Sequence, residues 1–322
     1  MSCPTPHPER SYVEHCARRK RDRRRQVVDL WPTDRVVSRP VGAAVVLGEF
    51  DGVHRGNVEL IAVARRHAEA LNAAVVAVVA DVGQQAPHIM SVTRRCELLL
   101  SQGVSSAFVA PIRHPDQVEG TLGSTLEQLM PLSMFVDNES WPSLPRDRLY
   151  SYLRGIGADV HAVRAYRDPV LGRIKAQAIM DRIRAGDVQA TSAMLGRPYE
   201  LSGIVVRRSK GRLSTSFASE YLRPEPGIVF PRTGVYAARV QVGRRWIGAA
   251  VDIGMRPTFD SSGSVVVEAH LIGLDGDLLD TELSLRFVER LRDERQFSGP
   301  TELAEQIGRD ITGVSTLLSA FG

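Results

Sequence analysis

The sequence predicts an α/β doubly wound parallel sheet followed by a small antiparallel β-barrel with a C-terminal helix. Three observations carry this. Between residues 43 and 163, continuous apolar runs alternate with helical stripes, the pattern of parallel strands covered on both faces by crossover helices. Beyond Tyr199 the apolar period changes to two, and turn signals separate strand after strand, as in a small barrel. The final apolar pattern, Leu303, Ile307, Ile311 and Val314, has helical spacing, and Pro300 suits its first turn.

Taken in order, residues 1–40 read as a basic extension of low order. Within it, Val27-Val28-Asp29-Leu30-Trp31 has the composition of a short strand for the edge of the first domain. The opening strand over 43–47 leads into a glycine-punctuated turn over 48–57, then a helix striped by Val58, Leu60, Ile61, Val63, Ala64, Ala68 and Leu71. A valine-rich strand over 73–80 follows. Helices over 92–101, 122–130 and 148–156 then alternate with strands over 107–110, 134–136 and 160–163. Right-handed crossovers wind such units into an open sheet with its ligand at the carboxyl ends of the strands, where the 48–57 turn lies. Helices over 174–184 and 188–195 hinge at Gly186-Asp187, and Gly196-Arg197-Pro198 breaks the pattern. The domains expected are therefore 41–197 and 198–322. In the second, strands are expected over 201–208, 235–242, 246–253, 265–272 and 282–288.

Composition is that of an ordinary globular chain, and 322 residues suggest two domains. The net charge of +4 is unevenly spread, because Arg18-Arg19-Lys20-Arg21-Asp22-Arg23-Arg24-Arg25 is nearly unbroken and the remainder is mildly acidic. A run of this kind, without aromatic residues to stack bases, reads as a solvated arm, and nucleic acid is not the expected partner. Cys3, Cys16 and Cys96 lack metal-ligand spacing and leave an odd count, so a reduced, cytoplasmic location is expected. No apolar run approaches a membrane span, and no signal-peptide core follows the basic residues. His88 and His114 fall in loops and carry no assigned role.

The turn over 48–57 is built to approach a phosphate. Gly48, Gly52 and Gly56 allow close backbone approach, and His54 sits where the following helix presents its unpaired N–H groups. The order Gly48-x-Phe50-Asp51-Gly52-x-His54-x-Gly56 resembles the first motif of the bacterial bifunctional riboflavin kinase/FMN adenylyltransferase (FAD synthetase) family. That motif ends in a second histidine; this chain has Asn57. Further matching pieces follow in order: Gly196-Arg197-Pro198-Tyr199, Gly234-Val235-Tyr236, Gly254-x-Arg256-Pro257-Thr258-Phe259, Glu268-x-His270-Leu271, Asp275-Gly276-Asp277-Leu278, and Arg290-Leu291-Arg292-Asp293-Glu294 with Phe297.

The resemblance implies a nucleotidyltransferase-like first domain and a six-stranded riboflavin-kinase-like barrel. It implies ATP-dependent phosphorylation of riboflavin to FMN in the second domain and adenylylation of FMN to FAD in the first, with Mg2+ accompanying ATP. It assigns the general base to Glu268, although an outward strand residue is the plain reading of a glutamate after Val265-Val266-Val267. Nucleotide contacts fall on Gly48, Phe50, Asp51, Gly52, His54, Gly56, Asn57 and Lys175. Flavin contacts fall on Arg256, Thr258, Phe259, Arg292, Glu294 and Phe297.

Three segments depart from the family, the first being a Thr-Phe-x-Pro-His-Pro piece expected after the second strand, which is not legible near Asp81 to His88. The metal-nucleotide loop falls on Ser216-Phe217-Ala218-Ser219-Glu220-Tyr221, where Ser219 keeps a hydroxyl ligand and Tyr221 replaces the asparagine. The adenylyltransferase's serine-rich turn falls on Ile174-Lys175-Ala176-Gln177-Ala178, leaving Lys175 as its cation. Adenylyl transfer rests on positioning and charge stabilisation, so weakened or lost FAD synthesis is expected. The competing reading is a catalytically silent paralogue that binds flavin or nucleotide as a sensor or partner protein.

Overall fold

Strand β2 (Ala44–Gly48) is buried on both sides and lies at the centre of the first sheet. The computed structural model describes residues 28–29, 42–81, 83, 87–112, 120, 122–137, 146–207, 219–243, 245–256, 264–274 and 278–320. After β2 come α1 (Arg55–Leu71), β3 (Val75–Asp81), α2 (Val92–Ser101), β4 (Ser106–Pro111), α3 (Gly123–Leu129), β5 (Ser133–Asp137), α4 (Arg146–Gly155) and β6 (Asp159–Val163). The strand order is β1-β4-β3-β2-β5-β6 and every pairing is parallel. β1 (Val28–Asp29) is the edge strand foreshadowed by the valine-rich patch of the extension.

The chain winds outward from β2 through β3 to β4, then returns to β5 on the other side. That reversal opens a crevice at the carboxyl end of β2, the usual ligand position in a doubly wound sheet. Alternate strand residues feed two cores. Val45, Leu47, Val76 and Val78 pack with Leu126, Leu129 and Leu153 on one face. On the other face Val46, Ala77 and Val79 pack with Leu60, Ile61 and Leu99.

A short hairpin, β7 (Arg167–Asp168) and β8 (Gly172–Arg173), precedes α5 (Ala176–Ala185) and α6 (Val188–Leu195). Gly186 caps α5 in the left-handed region, and a Cβ there would stand 2.9 Å from the Tyr236 hydroxyl and 3.0 Å from Arg290 Cδ. Only glycine lets the two helices turn this close to the barrel.

The second half is a closed antiparallel barrel in the order β10-β13-β12-β11-β14-β9. Its strands are β9 (Glu200–Val206), β10 (Glu220–Pro224), β11 (Gly234–Val242), β12 (Arg245–Arg256), β13 (Ser264–Leu271) and β14 (Glu282–Arg292). Helix α7 (Pro300–Ala320) lies outside it, with Val314 packed on Ala237 and Ala250. Inside, Phe287 stacks with Tyr199 at 5.7 Å and meets Tyr236 edge-on at 5.4 Å.

A single buried cluster joins one face of the sheet, helices α5 and α6, and the barrel interior. Polar bonds cross the same boundary. His88 and the 227–229 segment exchange backbone bonds of 3.0 and 2.9 Å, and Arg94 on α2 pairs with Glu200 on β9 at 3.1 Å. Among the described residues no helix is long and apolar enough to cross a membrane.

Candidate functional site

The loop between β2 and α1 is held in a conformation that most side chains avoid. Phe50 has φ +52°, Gly52 +84° and the β-branched Val53 +40°, the last a strained position. At Gly52 the left-handed backbone already disfavours any side chain, and a Cβ would also press on the Ile89 side chain at 2.9 Å.

Three groups over-determine this conformation. Asp51 is buried; its carboxylate accepts from the Ile89 N–H at 2.9 Å and the Met90 N–H at 3.4 Å, and pairs with Arg95 at 3.0 Å. Arg197 reaches in from just before β9, donating to the carbonyl of Gly52 and, at 2.9 Å, to that of Val53. Arg55 pairs with Asp168 at 2.6 Å and donates to the Tyr166 hydroxyl at 2.7 Å, tying the start of α1 to the β7–β8 hairpin. The backbone N–H groups of Leu171 and Val170 hold the Asp168 carboxyl below its usual range.

His54 is the N-cap of α1 and only 4 % exposed. Its Nδ1 accepts from the Asn57 N–H at 3.3 Å, while the Asn57 side-chain oxygen accepts from the His54 N–H at 3.1 Å. This is a reciprocal capping box. Burial first, and the Arg197 charge second, hold the His54 pKa down to about 4. The imidazole is therefore neutral at pH 7, and with Nδ1 accepting, its proton is on Nε2.

Lys175 stands exposed at the N-cap of α5 and makes no side-chain cap bond. The segment abuts the loop, because the Ile174 carbonyl is 3.6 Å from where a Gly56 Cβ would be. The loop, the start of α1 and the start of α5 thus converge. Val53, Arg55, Val58, Leu98, Tyr166 and Arg197 line a groove of about 360 Å³ beside the loop and the start of α1.

The barrel holds the second constellation. Glu268 on β13 lies opposite Tyr221 on β10 and Asp252 on β12. All three point away from the barrel interior, since the alternating neighbours Val267 and Ala269 belong to the inner core. Glu268 is nonetheless only 9 % exposed. The Ser219 hydroxyl donates to Glu268 Oε1 at 2.7 Å, and His270 Nε2 lies 3.8 Å from the same oxygen. The expected metal-nucleotide loop over 216–221 is partly strand: Glu220 and Tyr221 belong to β10, which pairs with both β9 and β13 and completes the barrel.

The flavin residues named from the sequence are divided. Arg292 makes a forked pair with Asp310 of α7, at 3.0 Å from Nε and 2.7 Å from Nη2. Phe297 is half-buried with Arg295 over its ring at 4.7 Å, and Glu294 is exposed, its Oε1 2.6 Å from a Cβ position at Gly254. Thr258 and Phe259 lie outside the described residues, as do Ser216 to Ala218, His114 and the arginine run, and Arg256 is described in its backbone alone. Among the described residues no group of three or more His, Cys, Asp or Glu side chains could hold a metal ion. Sequence reasoning assigned no role to Arg197 or His270, and named Ser219 only as a metal ligand.

Comparison with known proteins sets these two sites in context. A riboflavin kinase family model matches residues 195–318, and an FAD synthetase family model matches residues 37–114. A bifunctional riboflavin kinase/FMN adenylyltransferase of Pseudomonas fluorescens is 26% identical over 294 residues, covering 86% of this chain and 93% of that protein. The chain belongs to the bifunctional riboflavin kinase/FMN adenylyltransferase family, a family of transferases. Relatives of the same name from Haemophilus influenzae (25% identical, 84% of this chain and 92% of that protein) and Listeria monocytogenes (23%, 84% and 90%) match over a similar extent. A solved structure titled a macrolide-efflux protein, from Streptococcus pneumoniae, superposes with a TM-score of 0.71 at 21% identity, over 85% of this chain and 93% of that one. That likeness concerns the fold alone. The family's two halves fall on the two constellations, with the strained loop in the FAD synthetase match and Glu268 in the riboflavin kinase match.

Proposed function

We propose that the barrel phosphorylates riboflavin to FMN from ATP, and that residues 41–197 bind adenine nucleotide and FMN with weakened adenylyl transfer. The observation that carries the first part is the Ser219–Glu268–His270 group on the buried outer face of β13. Phosphoryl transfer to a hydroxyl needs a base for the departing proton, donors that hold the triphosphate in line, and neutralisation of its charge. Glu268 takes the hydroxyl proton. Ser219 and His270 both approach Oε1 and so fix the orientation of the carboxylate. The hard hydroxyl oxygen of Ser219 suits Mg2+, which takes one or two protein oxygens and otherwise phosphate and water. When bound, the ion neutralises charge on the transferred phosphoryl group.

In the first unit, His54 offers an Nε2–H donor but no charge, Asn57 is engaged in the cap, and Lys175 brings a cation to the start of α5. These groups support nucleotide binding at a helix N-terminus better than rapid transfer. The mutual capping of His54 and Asn57 favours a second reading for this unit, a nucleotide site without turnover. Both readings are separated by one experiment: the purified chain with riboflavin, ATP and Mg2+, then with FMN, ATP and Mg2+, and the flavins resolved by chromatography. FMN in the first mixture is expected, with little FAD in the second. No FMN at all would overturn the kinase assignment.

A further inference from the structure

We propose that Arg197, at the junction of the two halves, is a positioning residue of the nucleotide loop. This rests on the reading of the 48–57 loop as a nucleotide site. Arg197 lies within the riboflavin kinase match, yet its guanidinium bonds run 144 and 145 residues back into the FAD synthetase match, to the carbonyls of Val53 and Gly52. It also donates to its own segment at the Leu195 carbonyl, 3.2 Å away. The carbonyls it holds belong to the residues at φ +84° and +40°, immediately before the His54 cap. Arginine suits this position because its planar fork satisfies several acceptors at once from one side, which an ammonium on a flexible stem does poorly. Once the peptides 52–53 and 53–54 are pinned, the N–H groups opening α1 are held in one fixed direction.

Arg197 is part-buried among charged neighbours. Its pKa is lowered to about 10, chiefly by burial and then by Arg94 on α2, with Arg286 on β14 acting the same way and Glu200 on β9 opposing them. The charge close to His54 also helps keep that imidazole neutral. A neutral His54 accepts the Asn57 N–H through Nδ1, so the cap and the loop geometry share one dependence on Arg197.

The test uses the full chain with Arg197→Met and Arg197→Lys. ATP affinity at the loop is read by NMR from the shift of the His54 imidazole signals as ATP and Mg2+ are added, a readout the barrel's own ATP does not report, and the His54 imidazole is titrated with pH in the same way. Lysine keeps the charge but loses the fork, so it should weaken ATP binding about tenfold while His54 remains neutral to well below pH 6. Methionine loses both; it should weaken ATP at least as much and raise the His54 pKa by about one unit. A role confined to general packing would lower the urea midpoint of both variants and leave these two readouts unmoved. If Arg197→Met does not fold, Arg197→Lys decides on ATP affinity. ATP affinities within twofold of the natural chain, with an unchanged His54 titration, would overturn the proposal. If ATP does not move the His54 signals of the natural chain, the nucleotide-site reading fails instead, and the His54 pH titration alone decides whether Arg197 sets the loop.

Discussion

His54 and Asn57 cap each other, each side chain accepting the other's backbone N–H, at 3.3 and 3.1 Å. The pair closes the first turn of α1 without any charged group, at the place where an anion would dock. It makes the state of His54 matter to the fold as well as to the site.

The stability of the chain should therefore depend on pH through His54. Its folded pKa of about 4 lies below the ordinary 6.5, so the unfolded state binds the extra proton between those values. The His54 contribution is full above pH 6.5 and is lost as pH falls towards 4, amounting to about 3 kcal/mol across that window. His54→Asn keeps an oxygen for the cap but cannot be protonated. Urea unfolding at pH 7 and 4.5 should show a smaller loss for this variant than for the natural chain, whose carboxylates are otherwise identical. Equal losses would mean that His54 does not titrate in this window.

Glu268→Gln should lower FMN formation by about two to four orders of magnitude, since the amide keeps the shape but accepts no proton. Ser219→Ala removes one hydrogen bond to a charged oxygen, worth about 1.5–3 kcal/mol, and so should cost about tenfold or more in kcat with the fold intact. Unchanged turnover in the glutamine variant would take Glu268 out of the mechanism. Steady-state rates and melting temperatures read side by side check both.

Arg292 should act on stability more than on flavin affinity. Its fork is committed to Asp310, which is itself buried and also accepts from Gln306 at 2.9 Å, fastening α7 to the end of β14. Removing one partner of so enclosed a pair costs about 3 kcal/mol because the other charge is left behind. Arg292→Met should show that loss in urea unfolding, with riboflavin affinity of the folded protein changed less than threefold. A large fall in affinity with unchanged stability would place Arg292 at the flavin.

The alternation of apolar runs and helical stripes made the sheet legible, and helices α2 and α6 begin and end where their periodicity does. Strand β10 was not legible. Glu220-Tyr221-Leu222-Arg223-Pro224 is short, charged at two positions and ends in proline, and only its two barrel neighbours make it a strand. The motif residues were found because their order is local. Arg197 stands in one of these motifs, but its role was not legible, since its acceptors are far away in sequence. The burial of Glu268 was hidden for the same reason: alternation places it on the outer face, and the residues opposite it come from strands remote in the chain.

The last prediction concerns adenylyl transfer. The 174–178 segment adjoins the loop through Ile174, and Lys175 stands at the N-cap of α5 without making a side-chain cap bond. Replacing Lys175→Ser, Ala176→Ser, Gln177→Thr and Ala178→Arg would add hydroxyl donors and a guanidinium there, and the new Ser at the N-cap should itself stabilise α5 by about 1 kcal/mol. Asn57→His keeps the capping box, because an imidazole nitrogen can accept the His54 N–H, and it adds a group able to carry charge to a phosphate. Each repair alone should do little, since in-line transfer needs donors on both sides of the triphosphate and such groups act as a unit. The combined variant should form FAD from FMN and ATP faster than either single repair, by more than the product of their separate effects. Chromatography of the flavins over time measures this. Rapid FAD synthesis by the natural chain would show that other side chains carry these roles, and simple multiplication of the two repairs would show that the sites work independently.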